Sequence, residues 1–187
     1  MDKNNTSLYA KNVGVDVGRI SNNLIQKNNK LLTNTNFNNS PDPGKTSYIT
    51  RLNADGTIDN TFNPGTGANN AVAEVAIQPD GKLIIGGYFT SFNGKNSSRI
   101  ARLNANGTID HSFNSGTGAD NSVDALALQP DGKILMGGAF NTYNGISVKR
   151  VARLNADGTL DKTFKLDTEI DGLVYAITLQ PNGKILV

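Results

Sequence analysis

Asn53, Asp55, Thr57 and Asp59 alternate along one short stretch, so four oxygen-bearing side chains could converge on a cation. Calcium takes about six to eight oxygens, and the EF-hand loop sets Gly at its sixth position and a bidentate Glu at its twelfth. With Asn53 first, Gly56 falls fourth and Pro64, which has no side-chain oxygen, falls twelfth. The spacing fails the loop. A second occurrence carries Asn106 where the others have Asp55 and Asp157, which removes charge a cation would use. The same residues read well as a hairpin turn held by Asx hydrogen bonds. His111 is the single histidine, and at the matching positions stand Asn60 and Lys162. No nucleophile and activating base can be assembled around it. Gly-Thr-Gly at 65–67 and 116–118 lacks the Lys and helix of a phosphate loop and reads as a linker. No catalytic, metal or cofactor-binding residue is expected, and no cofactor.

These stretches recur. Arg-Leu-Asn-Ala-Asp-Gly-Thr at 51–57 returns at 102–108 (with Asn106) and at 153–159, an interval of 51 residues. Gln-Pro-Asp-Gly-Lys at 78–82 and 129–133, then Gln-Pro-Asn-Gly-Lys at 180–184, keeps the same beat, with a degenerate copy at 26–30. A fixed period of this size marks a repeat architecture. Twenty glycines, frequent Asn and Asp, and only 18% charged residues favour short strands joined by tight turns. The net charge is +2 with scattered Lys and Arg, so no basic groove for nucleic acid is expected. There is no cysteine, no apolar run of membrane-spanning length, and no signal-peptide pattern at the start.

Each repeat predicts four strands. In the copy at 122–164 the first runs over 122–128 and the turn at 129–132 follows it. The second spans 133–140, is almost wholly apolar, and holds Gly137-Gly138. That pattern implies burial on both faces. A polar loop covers 141–149. The third strand (150–154) meets the turn at 155–158, and the fourth (159–164) ends in Phe164. A tandem four-stranded antiparallel unit is the pattern of a β-propeller blade. The fold class is therefore all-β: a propeller-like array with an incomplete ring. Its expected units are an N-terminal cap or strand at 1–19, with Val13, Val15 and Val17 alternating; a degenerate first blade at 20–62; blades at 71–113 and 122–164; and a partial blade at 173–187 that stops inside its second strand. Too few blades are present to close a ring, so the chain reads as part of a longer protein or of an oligomer. Phe62, Phe113 and Phe164, with Phe37, Phe89 and Phe140, are expected between neighbouring sheets. Asp59, Asp110 and Asp161 are expected to cap backbone N–H groups in the turn before each Phe.

The unit V-x-A-L-A-[LI]-Q-P-D-G-K-[IL]-L-[IM]-G-G-x-F…N-G…R-[IV]-A-R-L-N-A-D-G-T-[IL]-D-x-x-F resembles the delta-60 repeat of bacterial proteins, over 70–187 well and 24–69 in part. The double glycines Gly86-Gly87 and Gly137-Gly138 also resemble kelch propellers, although kelch repeats carry a Trp and this chain has none. The resemblance implies large, exported or surface-associated proteins without an established activity.

Function is expected where copies differ, in the loops 91–98 and 142–149. Phe92, Asn93, Lys95, Tyr143, Asn144 and Lys149 are the candidate contacts for a protein or glycan partner. The expected role is a non-enzymatic scaffold or binding segment of a bacterial or phage-derived surface, fibre or appendage protein, extracellular or virion-associated. The alternative is a polysaccharide-active enzyme with its site at the propeller mouth.

Overall fold

The computed structural model describes residues 24–25, 30–33, 49–167 and 170–187. The expected cap at 1–19, with its alternating valines, and Phe37 lie outside the described residues. Within them the chain is all-β and antiparallel, and it contains no helix, hence none long and apolar enough to cross a membrane.

The strands come in sets one repeat apart. β1 (Leu24–Ile25), β2 (Leu31–Thr33) and β3 (Thr50–Leu52) form the first sheet. β4 (Val72–Ile77) and β5 (Leu83–Gly87) pair, followed by the small hairpin β6 (Ser91–Phe92) and β7 (Lys95–Asn96); β8 (Ile100–Leu103) then returns to β5. β9 (Val123–Leu128), β10 (Ile134–Gly138), β11 (Thr142–Tyr143), β12 (Ile146–Ser147) and β13 (Val151–Leu154) repeat that plan. β14 (Thr178–Leu179) and β15 (Ile185–Leu186) begin another sheet. Among the described residues the sheets form an array that does not close into a ring.

Two features of the expected blade need correction. The fourth strand is reduced to one bridge per copy: Leu52 with Ile58, Leu103 with Ile109, and Leu154 with Leu160. Pairing ends one residue later, where the Asp110 N–H donates to the Arg102 carbonyl at 2.8 Å. The Phe113 N–H then donates back to the Asp110 carbonyl, which curls the chain out of extended form. The supposed polar loops are, in part, hairpins. Asn93-Gly94 and Asn144-Gly145 all have positive φ, as a two-residue type I′ turn requires.

The core lies between sheets. Strand β5 explains why its residues are all apolar: Leu83 and Ile85 pack with Ile49, Leu32 and Phe62 of the preceding copy, while Ile84 packs with Val123, Ile134 and Met136 of the next. Each member of the double glycine has its own reason. A Cβ on Gly86 would come within 2.8 Å of Val123 Cγ1 in the next sheet, and one on Gly137 within 2.5 Å of Val174 Cγ1. A Cβ on Gly87 would meet the Ala71 carbonyl oxygen at 2.3 Å, at the entry to the bulged strand beside it. The first glycine admits the neighbouring sheet, and the second admits its own first strand.

Register separates the sheet ends. Ile77, Leu83, Leu103 and Ile109 stand in one row across the sheet. The recurring turns 78–82 and 104–108 therefore share one end, where a Cβ on Gly81 would lie 3.5 Å from the Ala105 side chain. The β6–β7 hairpin and the linker that enters β9 share the opposite end.

Candidate functional site

The recurring charged residues converge at the turn end. Asp110 Oδ2 accepts from Arg102 Nε at 2.8 Å and from Lys82 Nζ at 2.8 Å, and its Oδ1 accepts the N–H and hydroxyl of Ser112 at 2.9 and 2.7 Å. Arg102 also donates through Nη1 to the Ala156 carbonyl at 2.6 Å and lies 5.1 Å over the Phe113 ring. Ala156 belongs to the turn of the next copy, so the guanidinium ties two sheets together. The first copy repeats this with Lys30, Arg51, Asp59, Thr61 and Ala105, and with Phe62 beneath Arg51. The third uses Lys133, Arg153, Asp161 and Thr163, with Phe164 beneath Arg153. Burial opposes ionisation of Asp110. The Lys82 ammonium, the Ser112 hydroxyl and N–H, and the Arg102 guanidinium outweigh it and hold the carboxyl well below the usual range. Asp59 follows the same pattern. Phe113 seats against the next copy's turn, where Gly158, at φ +92°, leaves the room a Cβ would fill. Phe62 and Phe113 are buried, Phe164 is half-buried, and Phe89 and Phe140 are fully enclosed.

The alternating oxygens bond one another within the turn. Asp55 Oδ1 accepts both the N–H and the hydroxyl of Thr57, at 3.0 and 2.7 Å, and Asn53 turns its amide nitrogen to the Thr57 hydroxyl at 3.0 Å. Among the described residues no group of His, Cys, Asp or Glu could hold a metal ion. His111 is exposed.

The expected contact loops need a correction. Phe92 and Tyr143 are fully buried and cannot contact a partner. The Tyr143 hydroxyl donates to the Gly158 carbonyl at 2.7 Å, and burial, then the charge of Asp157, pushes its pKa up. Asn93 Oδ1 accepts from the N–H and hydroxyl of Thr66 at 3.2 Å, and Asn144 Oδ1 does the same for Thr117. These four residues fasten the hairpins to the linkers. Lys95 and Lys149 are exposed.

An opening lies beside them, at the end away from the recurring turns. A groove of about 410 Å³ runs between the second and third copies, lined by Thr90, Ser98, Arg99, Thr117, Asp120 and Thr142 among others. That volume suits a small ligand. Arg99 sits at φ +69°, uncommon for a side chain of its size. Its backbone is held from both sides: its N–H donates to the Phe89 carbonyl at 2.8 Å, and its carbonyl accepts from Gly87 at 3.0 Å. Arg99 Nη1 also donates to the Tyr88 carbonyl. Asp120 Oδ1 accepts the N–H groups of Asn141 and Thr142 at 2.8 and 3.0 Å. Burial opposes its ionisation, and those bonds hold its pKa below the usual range all the same.

A family described as domain of unknown function (DUF5122) beta-propeller matches residues 26–62, 78–113 and 129–164. The chain belongs to this family. Among solved structures, the DUF5122 array is similar to the extracellular domain of BT4673 from B. thetaiotaomicron, a protein assigned as a one component system. The TM-score is 0.54 at 14% identity, with 94% of this chain and 21% of that chain covered. At that identity the likeness concerns the fold. The DUF5122 chain thus spans about a fifth of the neighbour's length. Among curated proteins there is no significant match.

Sequence reasoning missed Arg99, Asp120 and the residues just inside them, Tyr88, Asp124 and Tyr175. Comparison of copies held a signal. Ala73, Asp124 and Tyr175 occupy one repeat position in successive copies, and Tyr88 pairs with Ala139 at another. These differences are single residues at strand ends, a weaker signal than the longer loops.

Proposed function

We propose that this DUF5122 chain is a non-enzymatic scaffold and binding segment of a larger bacterial or phage-derived surface, fibre or appendage protein. One observation carries the reading: the recurring polar groups are taken up in joining sheets at one end, while the other end opens a groove whose surroundings differ between copies, at Ser98 and Lys149, at Tyr88 and Ala139, and at Ala73, Asp124 and Tyr175. A scaffold that holds its blades by a repeated device is free to vary the opposite rim. The extracellular setting of the structural neighbour supports a surface location.

The test is localisation of the native protein by protease shaving and antibody labelling of intact cells and of purified particles. Accessible protein on the cell surface, or co-purification with an appendage or virion, is the expected result. Recovery only as a free cytoplasmic protein would overturn the location. Cleavage of any polysaccharide, abolished by an Asp→Asn change outside Asp59, Asp110 and Asp161, would overturn the non-enzymatic reading.

A further inference from the structure

Tyr88 and Tyr175 are among the few large side chains left open to solvent, at 45% and 71% exposure. They come from different copies, yet the double glycines bring them to one rim. Gly86 receives Val123, which places Asp124 beside the end of β5 and hence beside Tyr88. Gly137 receives Val174, and the Val174 N–H donates to the Gly138 carbonyl at 3.3 Å, which sets Tyr175 at the equivalent place one sheet on. The Tyr88 hydroxyl lies near the Asp124 carboxylate, which raises its pKa, and Ser122 Oγ donates to Asp124 Oδ2 at 2.8 Å. A carboxylate has about four acceptor sites, so Asp124 retains capacity for a ligand's donors. At the other side of Tyr88, Arg99 donates through Nη1 to its carbonyl, and the rest of the guanidinium has no bond among the described residues.

We infer that Tyr175, Asp124, Tyr88 and Arg99 form a continuous strip that leads into the Asp120 groove and binds a neutral oligosaccharide. The inference rests on the binding reading above and names its ligand. Tyrosine offers a flat apolar face with a polar tip, which suits the C–H face of a sugar ring. A carboxylate and a guanidinium fork at either side of that ring match vicinal hydroxyls, which both donate and accept. Arg99 and, one sheet on, Arg150, which donates to the Ala139 carbonyl, stand against Asp124 and Asp120, so the strip has no strong field of either sign and a highly charged ligand is not selected. The apolar surface is confined to two rings, too little for the apolar centre of a standard protein interface.

The experiment is titration of the full chain with a panel of short neutral gluco-, galacto- and manno-oligosaccharides, read by saturation-transfer NMR and calorimetry. At least one should bind. Tyr175→Ala, whose side chain is exposed enough to leave folding intact, should weaken it about tenfold, as lost stacking implies. Asp124→Asn should weaken it as well, and Asp55→Asn at the opposite end should not. No binding by the wild type, or equal binding by Tyr175→Ala and Asp124→Asn, would overturn the proposal. So would binding only of polyanionic glycans or of peptides. A surface-exposed protein that binds none of the panel removes the ligand and leaves the proposed function standing. A cytoplasmic protein that binds it does the reverse.

Discussion

Arg102→Met tests whether the guanidinium joins neighbouring sheets. Methionine keeps an unbranched stem over Phe113 and removes the fork. Three bonds are lost, to Asp110 Oδ2 at 2.8 Å, Ala156 O at 2.6 Å and Ser112 Oγ at 3.0 Å. Asp110 stays buried, with Lys82 as its remaining cation. Removing one partner of a buried pair costs about 3–5 kcal/mol, and the half-exposed Lys82 keeps the loss toward the lower figure. That is a large share of the ~5–15 kcal/mol that holds a typical domain. Arg153→Met supplies the internal control. Arg153 has the bond to Asp161 and the contact with Phe164, but no carbonyl acceptor among the described residues, and its side chain is 20% exposed. Its loss should be at most about half as large, since two of the three guanidinium bonds, those to a carbonyl and to a hydroxyl, are absent from the comparison. Urea unfolding followed by circular dichroism measures both. A fall in m for Arg102→Met alone would show the sheets melting separately. Equal losses for the two variants, or a loss for Arg102→Met below about 1 kcal/mol, would refute the staple, because a bridging bond must cost more than an intra-sheet one.

Further outcomes follow from single contacts. Gly86→Ala should destabilise by about 1–3 kcal/mol through overpacking on Val123, and Val123→Ala should recover part of it; Gly87→Ala meets backbone oxygen at 2.3 Å and should show no such rescue in the same unfolding assay. Gly145→Ala finds open space but φ +75°, so about 1 kcal/mol is expected from conformation alone. Tyr143→Phe strands the buried Gly158 carbonyl and should cost about 1–2 kcal/mol by chemical denaturation. The carboxyls of Asp59 and Asp110 are depressed in the folded state. Their stabilisation is full above the unfolded carboxylate pKa of about 4 and is lost as pH falls through it toward the folded values. Unfolding midpoints should therefore drop below about pH 4, and less steeply in Asp110→Asn.

Periodicity made the architecture legible, because a repeat that buries both faces must restate its apolar strands and its turns in every copy. The run Leu83 to Ile85 could be read as doubly buried without coordinates. The end of the blade could not. Asp110 to Phe113 looks like a strand by its spacing, yet the Asp110 carboxylate takes the N–H of Ser112 and turns the chain, a local choice that periodicity does not encode. Asn93-Gly94 and Asn144-Gly145 carried a hairpin signal of the strongest short-range kind. Set within polar residues, they read as loop, and the same setting makes Phe92 and Tyr143 look like exposed contacts, whereas they anchor those hairpins in the core.

The division between the two ends follows from which groups each end must satisfy. At the turn end every copy pairs a guanidinium with a buried carboxylate, and a buried charge tolerates no change without its partner. Residues 51, 59, 102, 110, 153 and 161 are therefore locked together, and none is available to discriminate a ligand. At the other end the double glycine supplies the fit between sheets through backbone and aliphatic contacts with Val123, Val174 and Ile177. The residues that follow it, Tyr88 and Ala139, and those beside the valines, Asp124 and Tyr175, carry no packing duty and can differ from copy to copy. Recognition in such an array is written at the positions that adjoin the glycine contacts. A second DUF5122 chain with the same glycines but other residues at 88, 124 and 175 should keep the fold and change its ligand.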